Sequence, residues 1–268
     1  MTTDTDTTFE NLNLLREGAV AIVELDNAPM NVITLKMGQE LKAACAQLAA
    51  DDEVRAVVFR SANRGLFCAG ADVTLMARFD EGGEELLAEF LAIADVMDSI
   101  EQLPMPTVVQ LEGIALGGGF ELALACDFRI AGDDLQQLGL PEVRLGLLPG
   151  GGGTQRLPRL VGAGVATEMI MKGMRYDAGT ALDKGLVHQV VPAAELTETV
   201  LKFATSLAFQ APRALRHVKT LIRASFTQPG DAGLELEREL FRDLLSTQDV
   251  KEGITAATEN RRAVYTGN

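Results

Sequence analysis

The chain contains no tryptophan, and its 268 residues include only two histidines and three cysteines. Cys45, Cys68 and Cys126 are odd in number, and none stands in a C-x-x-C pair or at metal-binding spacing from a histidine. This pattern argues against a disulfide framework and against a structural zinc site. It predicts a protein that binds no metal and is located in a reducing compartment.

Long apolar runs and targeting features are also missing. No apolar run is long enough to cross a bilayer, and residues 1–8 lack the basic and apolar regions of a signal peptide and the arginines of a transit peptide. We therefore expect a cytoplasmic protein with no membrane association and a short disordered N-terminus over residues 1–8. A chain of 268 residues is long enough to bury a core without disulfides, as one large domain or a domain with an appendage.

Positive charge is in short supply. The 24 Lys and Arg residues face 38 Asp and Glu residues, which leaves a net charge of −14. Such a charge repels nucleic acid and anionic membrane surfaces over the molecule as a whole. We expect no nucleic-acid partner, and any anionic substrate must be captured by local features.

Several common catalytic and nucleotide-binding motifs are absent. Four glycines, Gly150 to Gly153, suggest a phosphate-binding loop, but Thr154 and Gln155 follow where that motif requires Lys. The Gly162–Gly164 segment is a poor dinucleotide fingerprint. The chain also has no G-x-S-x-G nucleophile elbow and no H-E-x-x-H zinc helix.

The pattern of apolar residues predicts strands alternating with helices, which is typical of an α/β fold. Polar, glycine-containing residues 77–85 predict a mobile segment, and residues from Leu196 onward predict helices only. The third C-terminal helix is more apolar than an exposed helix should be, so it packs either on another subunit or on its own core. The predicted strands are 20–25, 54–59, 107–111 and 128–131, and the predicted helices before residue 196 include 35–50 and 86–103.

One stretch in the middle of the chain carries a possible site. Gly117, Gly118 and Gly119 precede an apolar helix that has Glu121 in its first turn. Free amides at a helix start favour developing negative charge, and a carboxylate beside them is a candidate acid or base. The residues alone support equally a simpler interpretation, in which the glycines allow close packing and Glu121 interacts with the helix dipole.

Longer motifs resemble one protein family over almost the whole chain. Phe67–Asp72 (FCAGAD), Gly117–Glu121 (GGGFE), Leu140–Glu142 (LPE) and Leu148–Leu157 (LPGGGGTQRL) occur in an order that is similar to the enoyl-CoA hydratase/isomerase family, in the crotonase superfamily. The resemblance implies an α/β spiral of β-β-α units. It also implies a C-terminal α-helical trimerisation region, with homotrimers often paired as hexamers. On this basis residues 9–195 are expected to form the core with the acyl-CoA site, and residues 196–268 the oligomerisation region.

The same resemblance implies an acyl-CoA thioester substrate and no separate cofactor. The thioester oxygen would accept hydrogen bonds from the backbone amides of Ala71 and Gly118. The substrate would lie across the loop formed by Ala69, Gly70, Ala71 and Asp72. Such an oxyanion is what free amides at a helix start stabilise.

Glu121 and Glu142 occupy the positions of the two glutamates that hydratases of this family carry. By analogy, Glu121 would activate water and Glu142 would protonate the α carbon, with the Gly150 amide helping to hold the water. Two carboxylates in one small site can divide this work, because repulsion and burial push their pKa values apart. On its own, a Glu after Pro is often only a loop residue.

Some positions depart from the family pattern or fall outside its motifs. Residues 133–138 (DDLQQL), in a segment expected to border the acyl pocket, are unlike the small or aromatic residues expected there. Thr74 stands where some hydratases carry a Lys near the CoA phosphates, which leaves Arg64, Lys36 and Arg78 as candidate phosphate partners. Both histidines, His188 and His217, are expected to be structural or exposed. No chemistry is expected of Cys68, the cysteine in the Ala69 loop motif.

The preferred interpretation is an enoyl-CoA hydratase, because two glutamates are present. The alternatives keep the fold but change the chemistry to double-bond isomerisation, or to hydrolysis or decarboxylation of a specialised acyl-CoA. A less favoured alternative is a non-catalytic acyl-CoA-binding or scaffold protein.

Overall fold

A computed structural model describes residues 8–72 and 79–268 of the chain. The strands are β1 (Leu12–Glu17), β2 (Val20–Leu25), β3 (Ala56–Ser61), β4 (Thr107–Leu111), β5 (Ile114–Leu116), β6 (Phe128–Gly132), β7 (Gln137–Gly139), β8 (Arg175–Tyr176) and β9 (Gln189–Val191). The helices are α1 (Leu35–Ala50), α2 (Phe79–Glu101), α3 (Gly118–Ala125), α4 (Gly153–Lys172), α5 (Ala178–Asp183), α6 (Leu196–Ala208), α7 (Pro212–Ala224), α8 (Gly230–Leu244) and α9 (Gln248–Thr258). Two 3₁₀ helices lie at Glu142–Leu145 and Ala193–Glu195.

Two sheets organise these elements. The larger has the order β1-β2-β3-β4-β6-β9 and is parallel except for the antiparallel β1-β2 pair, and the smaller has the order β5-β7-β8. Parallel strands are usually covered on both faces, and this sheet follows that rule. In β2, Ala21 and Val23 face the cluster that includes α1, whereas Val20 and Ile22 face the cluster that includes α6.

The predicted elements before residue 72 agree closely with the observed ones. Strand 20–25 and helix 35–50 have the predicted bounds. The helix starts at Leu35 because the Thr34 side chain accepts a hydrogen bond from the Met37 amide at 3.2 Å. The strand predicted at 54–59 is shifted to Ala56–Ser61, since the register pairs Val20 with Ala56 and Leu25 with Ser61.

The helix predicted over residues 86–103 begins earlier than expected, inside the segment predicted to be mobile over residues 77–85. Helix α2 begins at Phe79, seven residues before the predicted start at 86, and ends at Glu101. Glu84 and Glu85 are good helix formers, and extending an existing helix costs far less than starting one, so two glycines are tolerated near its start. Residues 77 and 78 lie outside the described part of the chain, as do residues 1–7 of the predicted disordered N-terminus.

The chain from Leu196 to Thr258 consists of the four helices α6 to α9 with short connections, as predicted, and residues 259–268 follow without regular structure. Leu196 and Val200 of α6 are buried against the sheet. Helix α8 differs, because no side chain in it is buried and Leu234 and Phe241 are 50% and 62% exposed. Within the described residues, no helix combines the length and hydrophobicity that crossing a membrane requires.

Candidate active site

Helix α3 positions the first glutamate. All eight of its residues are buried, which is the pattern of a helix enclosed by protein on every side. It follows β5 through Gly117, whose φ of 53° lies in the left-handed region that favours glycine. This turn places Glu121 in the first helical turn, with only 3% of the residue exposed.

Close backbone contacts around this turn require glycine. A Cβ at Gly119 would lie 2.3 Å from the Cys68 carbonyl oxygen, so the helix could not approach the Ala69 loop with any larger residue there. Gly70 has a φ of 112°, and a Cβ on it would lie 2.9 Å from the Leu116 carbonyl oxygen. The interpretation of these glycines as packing residues is therefore correct for Gly119.

The amides of Ala71 and Gly118 lie side by side. A Cβ on Gly118 would be 3.3 Å from the Ala71 nitrogen. The Ile33 amide donates to Gly70 and the Asp72 amide donates to the Ile33 carbonyl, so the intervening Ala71 amide points away from this pairing. Among the described residues, neither the Ala71 nor the Gly118 amide has a recorded backbone acceptor. Two adjacent amides of this kind can bind one oxyanion.

The Glu121 carboxylate lies at the N-terminus of α4. Its Oε1 accepts hydrogen bonds from the amides of Gly151 and Gly153, each at 2.8 Å. Burial raises the pKa of Glu121 above its ordinary value, while the two amides and the Arg156 guanidinium oppose that shift. Negative charge at a helix N-terminus is favourable, so this site tolerates a buried carboxylate.

Glu142 reaches the same region from the 3₁₀ helix after Pro141. Its Oε1 would be 3.1 Å from a Cβ on Gly117, so the carboxyl lies over the start of α3. Its Oε2 is buried and has no hydrogen-bond partner among the described residues. Burial, with a smaller contribution from Glu121, raises the pKa of Glu142 from its ordinary value of 4.5 to about 7. A carboxyl of this kind can hold a proton near neutral pH and deliver it.

The glycine run 150–153 serves these carboxylates. A Cβ at Gly151 would be 2.8 Å from Glu121 Oε2, and one at Gly153 would be 3.0 Å from Oε1. Gly152 has a φ of 95°. Gly150 is different, since nothing lies within 4 Å of a Cβ built there. The run is therefore a carboxylate-binding turn.

A cavity of about 310 Å³ connects these groups. Its apolar wall comes from α2 and from the segment after the 3₁₀ helix, and its polar end carries both glutamates. The predicted site residues that line it are Ala69, Gly70, Ala71, Gly118, Glu121, Glu142 and Gly150. The apolar side chains that line it include Leu91, Ala94, Met97, Leu145, Leu147 and Leu148. A larger cavity of about 640 Å³, lined by Arg213 and His217 among others, contains none of the predicted site residues.

Other predicted residues lie elsewhere. Asp72 is next to the cavity but does not line it, and Thr74 and Arg78 are outside the described residues. Lys36 pairs with Glu40 at 3.4 Å, Arg64 is exposed, and neither lines the cavity. None of residues 133–138, predicted to border the acyl pocket, lines this cavity, but Gln137 accepts a hydrogen bond at 2.7 Å from Arg175, which does. Residues 133–136 connect β6 to β7, and Asp133 there accepts a hydrogen bond from the Ala193 amide.

The remaining candidates have structural contacts. Cys68 is buried, its thiol donates to the Asn31 carbonyl at 2.9 Å, and burial raises its pKa to about 12. His188 accepts a hydrogen bond from the Arg129 amide, and His217 pairs with Asp243 at 2.7 Å. No chemistry is needed to explain any of them.

Sequence reasoning missed three contributors to this site. Gly151 and Gly153 bind Glu121, and Arg175 is the only cation lining the cavity within the described residues. The signal for the glycines was the run itself, once the phosphate-loop interpretation had failed. Nothing near Arg175 in the sequence marks it, because β8 reaches the cavity only by pairing with β7.

The fold and the cavity define a protein of the crotonase superfamily. The chain belongs to the enoyl-CoA hydratase/isomerase family, which it matches over residues 16–268. It is 39% identical to probable enoyl-CoA hydratase 2, mitochondrial, of Arabidopsis thaliana, over 97% of this chain and 86% of that protein. It is 37% identical to an enoyl-CoA isomerase/hydratase of Mycosarcoma maydis, over 85% of this chain and 83% of that one. The crystal structure of an enoyl-CoA hydratase from Bacillus anthracis matches with a TM-score of 0.91 and 36% identity, covering 97% of this chain and 100% of that chain.

Proposed function

We propose that this protein is an enoyl-CoA hydratase that adds water across the 2,3 double bond of a 2-enoyl-CoA thioester to give a 3-hydroxyacyl-CoA. The proposal is carried by one observation: Glu121 and Glu142 line the same cavity as Ala71 and Gly118, whose backbones lie next to each other in space. Membership of the family and relatives named enoyl-CoA hydratase support the same reaction.

The amides of Ala71 and Gly118 form the oxyanion hole in this proposal. They donate to the thioester oxygen, which gains negative charge when water attacks C3 and an enolate forms. Removing one such donor in other enzymes costs about 3 kcal/mol of transition-state stabilisation. The loop Ala69–Asp72 carries the Ala71 amide and contacts the CoA part of the substrate.

The two glutamates divide the proton transfers. Glu121 takes a proton from the attacking water while the water oxygen bonds to C3, and Glu142 gives a proton to C2 as the enolate collapses. The assignment fits the surroundings, since Glu121 accepts two amide hydrogen bonds that favour its anion, whereas Glu142 has a buried oxygen without a described partner. Gly150, which lines the cavity in open space, offers its amide to the water.

The reaction needs no cofactor beyond the CoA that the substrate carries. The protein has a net charge of −14, so the anionic CoA must meet a local cation. Arg175 supplies one at the cavity, with one guanidinium nitrogen held 2.7 Å from Gln137 Oε1.

The test is a hydration assay on the purified full chain. Crotonyl-CoA and longer 2-enoyl-CoA esters are added, and the loss of conjugated enoyl absorbance is followed. Glu121→Gln and Glu142→Gln should each lower kcat by roughly 10²-fold or more, as expected for general acid–base groups. Glu17→Gln, which removes an exposed carboxylate at the end of β1, is the matched control and should retain full activity. No absorbance loss with any chain length would refute the proposal.

Double-bond isomerisation is the second candidate. A single carboxyl with a pKa of about 7, such as Glu142, can move a proton between C2 and C4 without water. The relative named isomerase/hydratase gives this candidate further support. Mass spectrometry of the product separates the two reactions, because hydration adds the mass of water and isomerisation leaves the mass unchanged.

We further propose that residues 196–268 mediate a homotrimer or a pair of trimers, with residues 9–195 forming the catalytic part. The exposed apolar side chains of α7 and α8, among them Ile222 and Phe241, support this division. Multi-angle light scattering of the intact chain measures the assembly. A cytoplasmic location is also proposed. Fractionation of the source cells tests it, since one relative is bacterial and another is named mitochondrial.

A further inference from the structure

The Leu148–Leu157 motif contains one charged side chain that the proposed reaction does not use. Arg156, in the first turn of α4, has only 9% of its side chain exposed. Its Nη2 lies 2.6 Å from both Asp98 Oδ1 and Glu101 Oε2, and its Nε donates to the same Glu101 oxygen at 3.0 Å. Both acids lie on α2, the helix that also forms the apolar wall of the cavity.

The remaining nitrogen of Arg156 holds the glycine turn. Nη1 donates to the Gly151 carbonyl oxygen at 2.7 Å. The Gly151 amide in turn donates to Glu121 Oε1 at 2.8 Å. A Cβ on Gly152 would lie 2.2 Å from Nη1, so the guanidinium passes directly over this glycine. The contacts form one chain, from the acids of α2 through Arg156 and the turn to the Glu121 carboxylate.

We propose that Arg156, fixed by Asp98 and Glu101, is the positioning residue for Glu121, which it orients through the Gly151–Gly153 turn. This inference rests on the proposed function, in which Glu121 is the base. Arg156 has no contact with the reacting atoms and acts through the turn. Its planar fork of donors bonds two carboxylates and a carbonyl at once, which a single ammonium group cannot do in the same geometry.

The charges around this chain of contacts explain why the arrangement needs a cation. Glu121 faces Glu142 in the cavity, and Arg156 is the cation whose field favours the ionised form of Glu121. On the far side, Arg223 of α7 approaches Glu101, and its Nη2 is buried with no partner among the described residues. Loss of Arg156 would therefore leave Asp98 without its described cation, Glu101 with Arg223 alone, and Glu121 without its support.

The test compares Arg156→Gln and Arg156→Lys with Arg159→Lys. Arg159 is a matched control because it lies on the same helix and contacts the Phe226 ring at 5.6 Å, away from Glu121. We expect Arg156→Gln to lower kcat at least roughly tenfold, equivalent to about 1.4 kcal/mol, with little change in KM. The Lys variant should recover part of the loss, because it restores charge but not the fork. Glu101→Gln should also lower kcat. The control, Arg159→Lys, should have the same kcat as the parent protein.

A second readout separates positioning from a merely structural role. The ionised base is the active form, and removing Arg156 raises the pKa of Glu121. The acid limb of the kcat/KM profile should therefore move to higher pH in Arg156→Gln. An unmoved acid limb, with activity falling only in proportion to folded protein, would overturn the proposal, as would an unchanged kcat.

A third measurement does not depend on turnover. Carboxyl ¹³C resonances of labelled glutamate, with Glu121→Gln for assignment, report the Glu121 titration in the parent and in Arg156→Gln. An upward shift supports positioning even if the parent hydrates no enoyl-CoA, in which case only the proposed function fails. An identical titration in the two proteins refutes the role of Arg156.

Discussion

Replacing Glu142 by Gln should make the protein more stable at alkaline pH while it removes the proposed proton donor. Burial and the Glu121 carboxylate raise the pKa of Glu142 from 4.5 to about 7, so the folded protein resists ionisation of this group. Each unit by which the pKa rises corresponds to about 1.4 kcal/mol. The rise therefore sets an upper limit of about 3 kcal/mol on the free-energy cost of ionising Glu142 in the folded protein. The side chain is partly exposed, and solvent screening reduces the expected cost to about 1–2 kcal/mol.

The sign of the pH dependence follows from linkage. Below the unfolded value of 4.5 the carboxyl is protonated in both states and carries no penalty. As the pH rises through the folded value of about 7, the unfolded chain has already lost its proton and the folded protein must ionise against burial, so stability is lost. The Gln variant cannot ionise, and it escapes this loss. Any packing cost of the amide is the same at every pH and cancels in the comparison.

The assay is urea denaturation of the parent and of Glu142→Gln at about pH 5 and about pH 8.5, at equal protomer concentration. The free energy of unfolding of the Gln variant, relative to the parent, should rise by about 1–2 kcal/mol between the two pH values. Glu17→Gln serves as the control, because that carboxylate is exposed, and its difference from the parent should not change in this way. Parallel pH dependence in the parent and in Glu142→Gln would refute the reasoning that burial destabilises the ionised form.

Three further predictions concern packing, charge and assembly. Gly119→Ala should destabilise the fold by about 1–3 kcal/mol or more, because its Cβ would lie 2.3 Å from the Cys68 carbonyl oxygen. Gly150→Ala, in open space, should leave the melting temperature unchanged, and equal melting temperatures for both variants would contradict this contrast. Arg175→Gln should raise KM for crotonyl-CoA but not for crotonyl-N-acetylcysteamine, which lacks the phosphates, and an equal rise for both would exclude a phosphate contact. Phe241→Asp should lower the mass measured by light scattering, since an exposed apolar side chain at 62% exposure is then charged, and an unchanged mass would place the interface elsewhere.

Periodicity predicted the local elements well where one face of an element is apolar and the other polar. Helix 35–50 begins where it was predicted to begin because Thr34 is a local cap that can be read directly from the chain. The short strands β5, β7 and β8 were not predicted, since three or fewer residues are too short for any periodic pattern. These strands form the small sheet that places Arg175 at the cavity.

The motifs also predicted which residues would meet. Ala71, the Gly118–Glu121 helix start and Glu142 come from three separate parts of the chain, and all of them line one cavity. Their assignment depended on resemblance to a family and not on spacing, because residues 71 and 142 are brought together only by the folded chain. Their catalytic roles stay predictions until the variants are assayed.

By itself, the sequence determined the α/β class and the family, and it predicted which residues would lie around the reaction, because these depend on local periodicity and on residue types in a fixed order. Only the tertiary structure decided how those residues are held. The use of the glycine run as a carboxylate-binding turn depends on hydrogen bonds from Gly151 and Gly153 to Glu121, which lies thirty residues or more away in the chain. The raised pKa of Glu142 likewise depends on burial, which is a property of the packed chain and not of any segment.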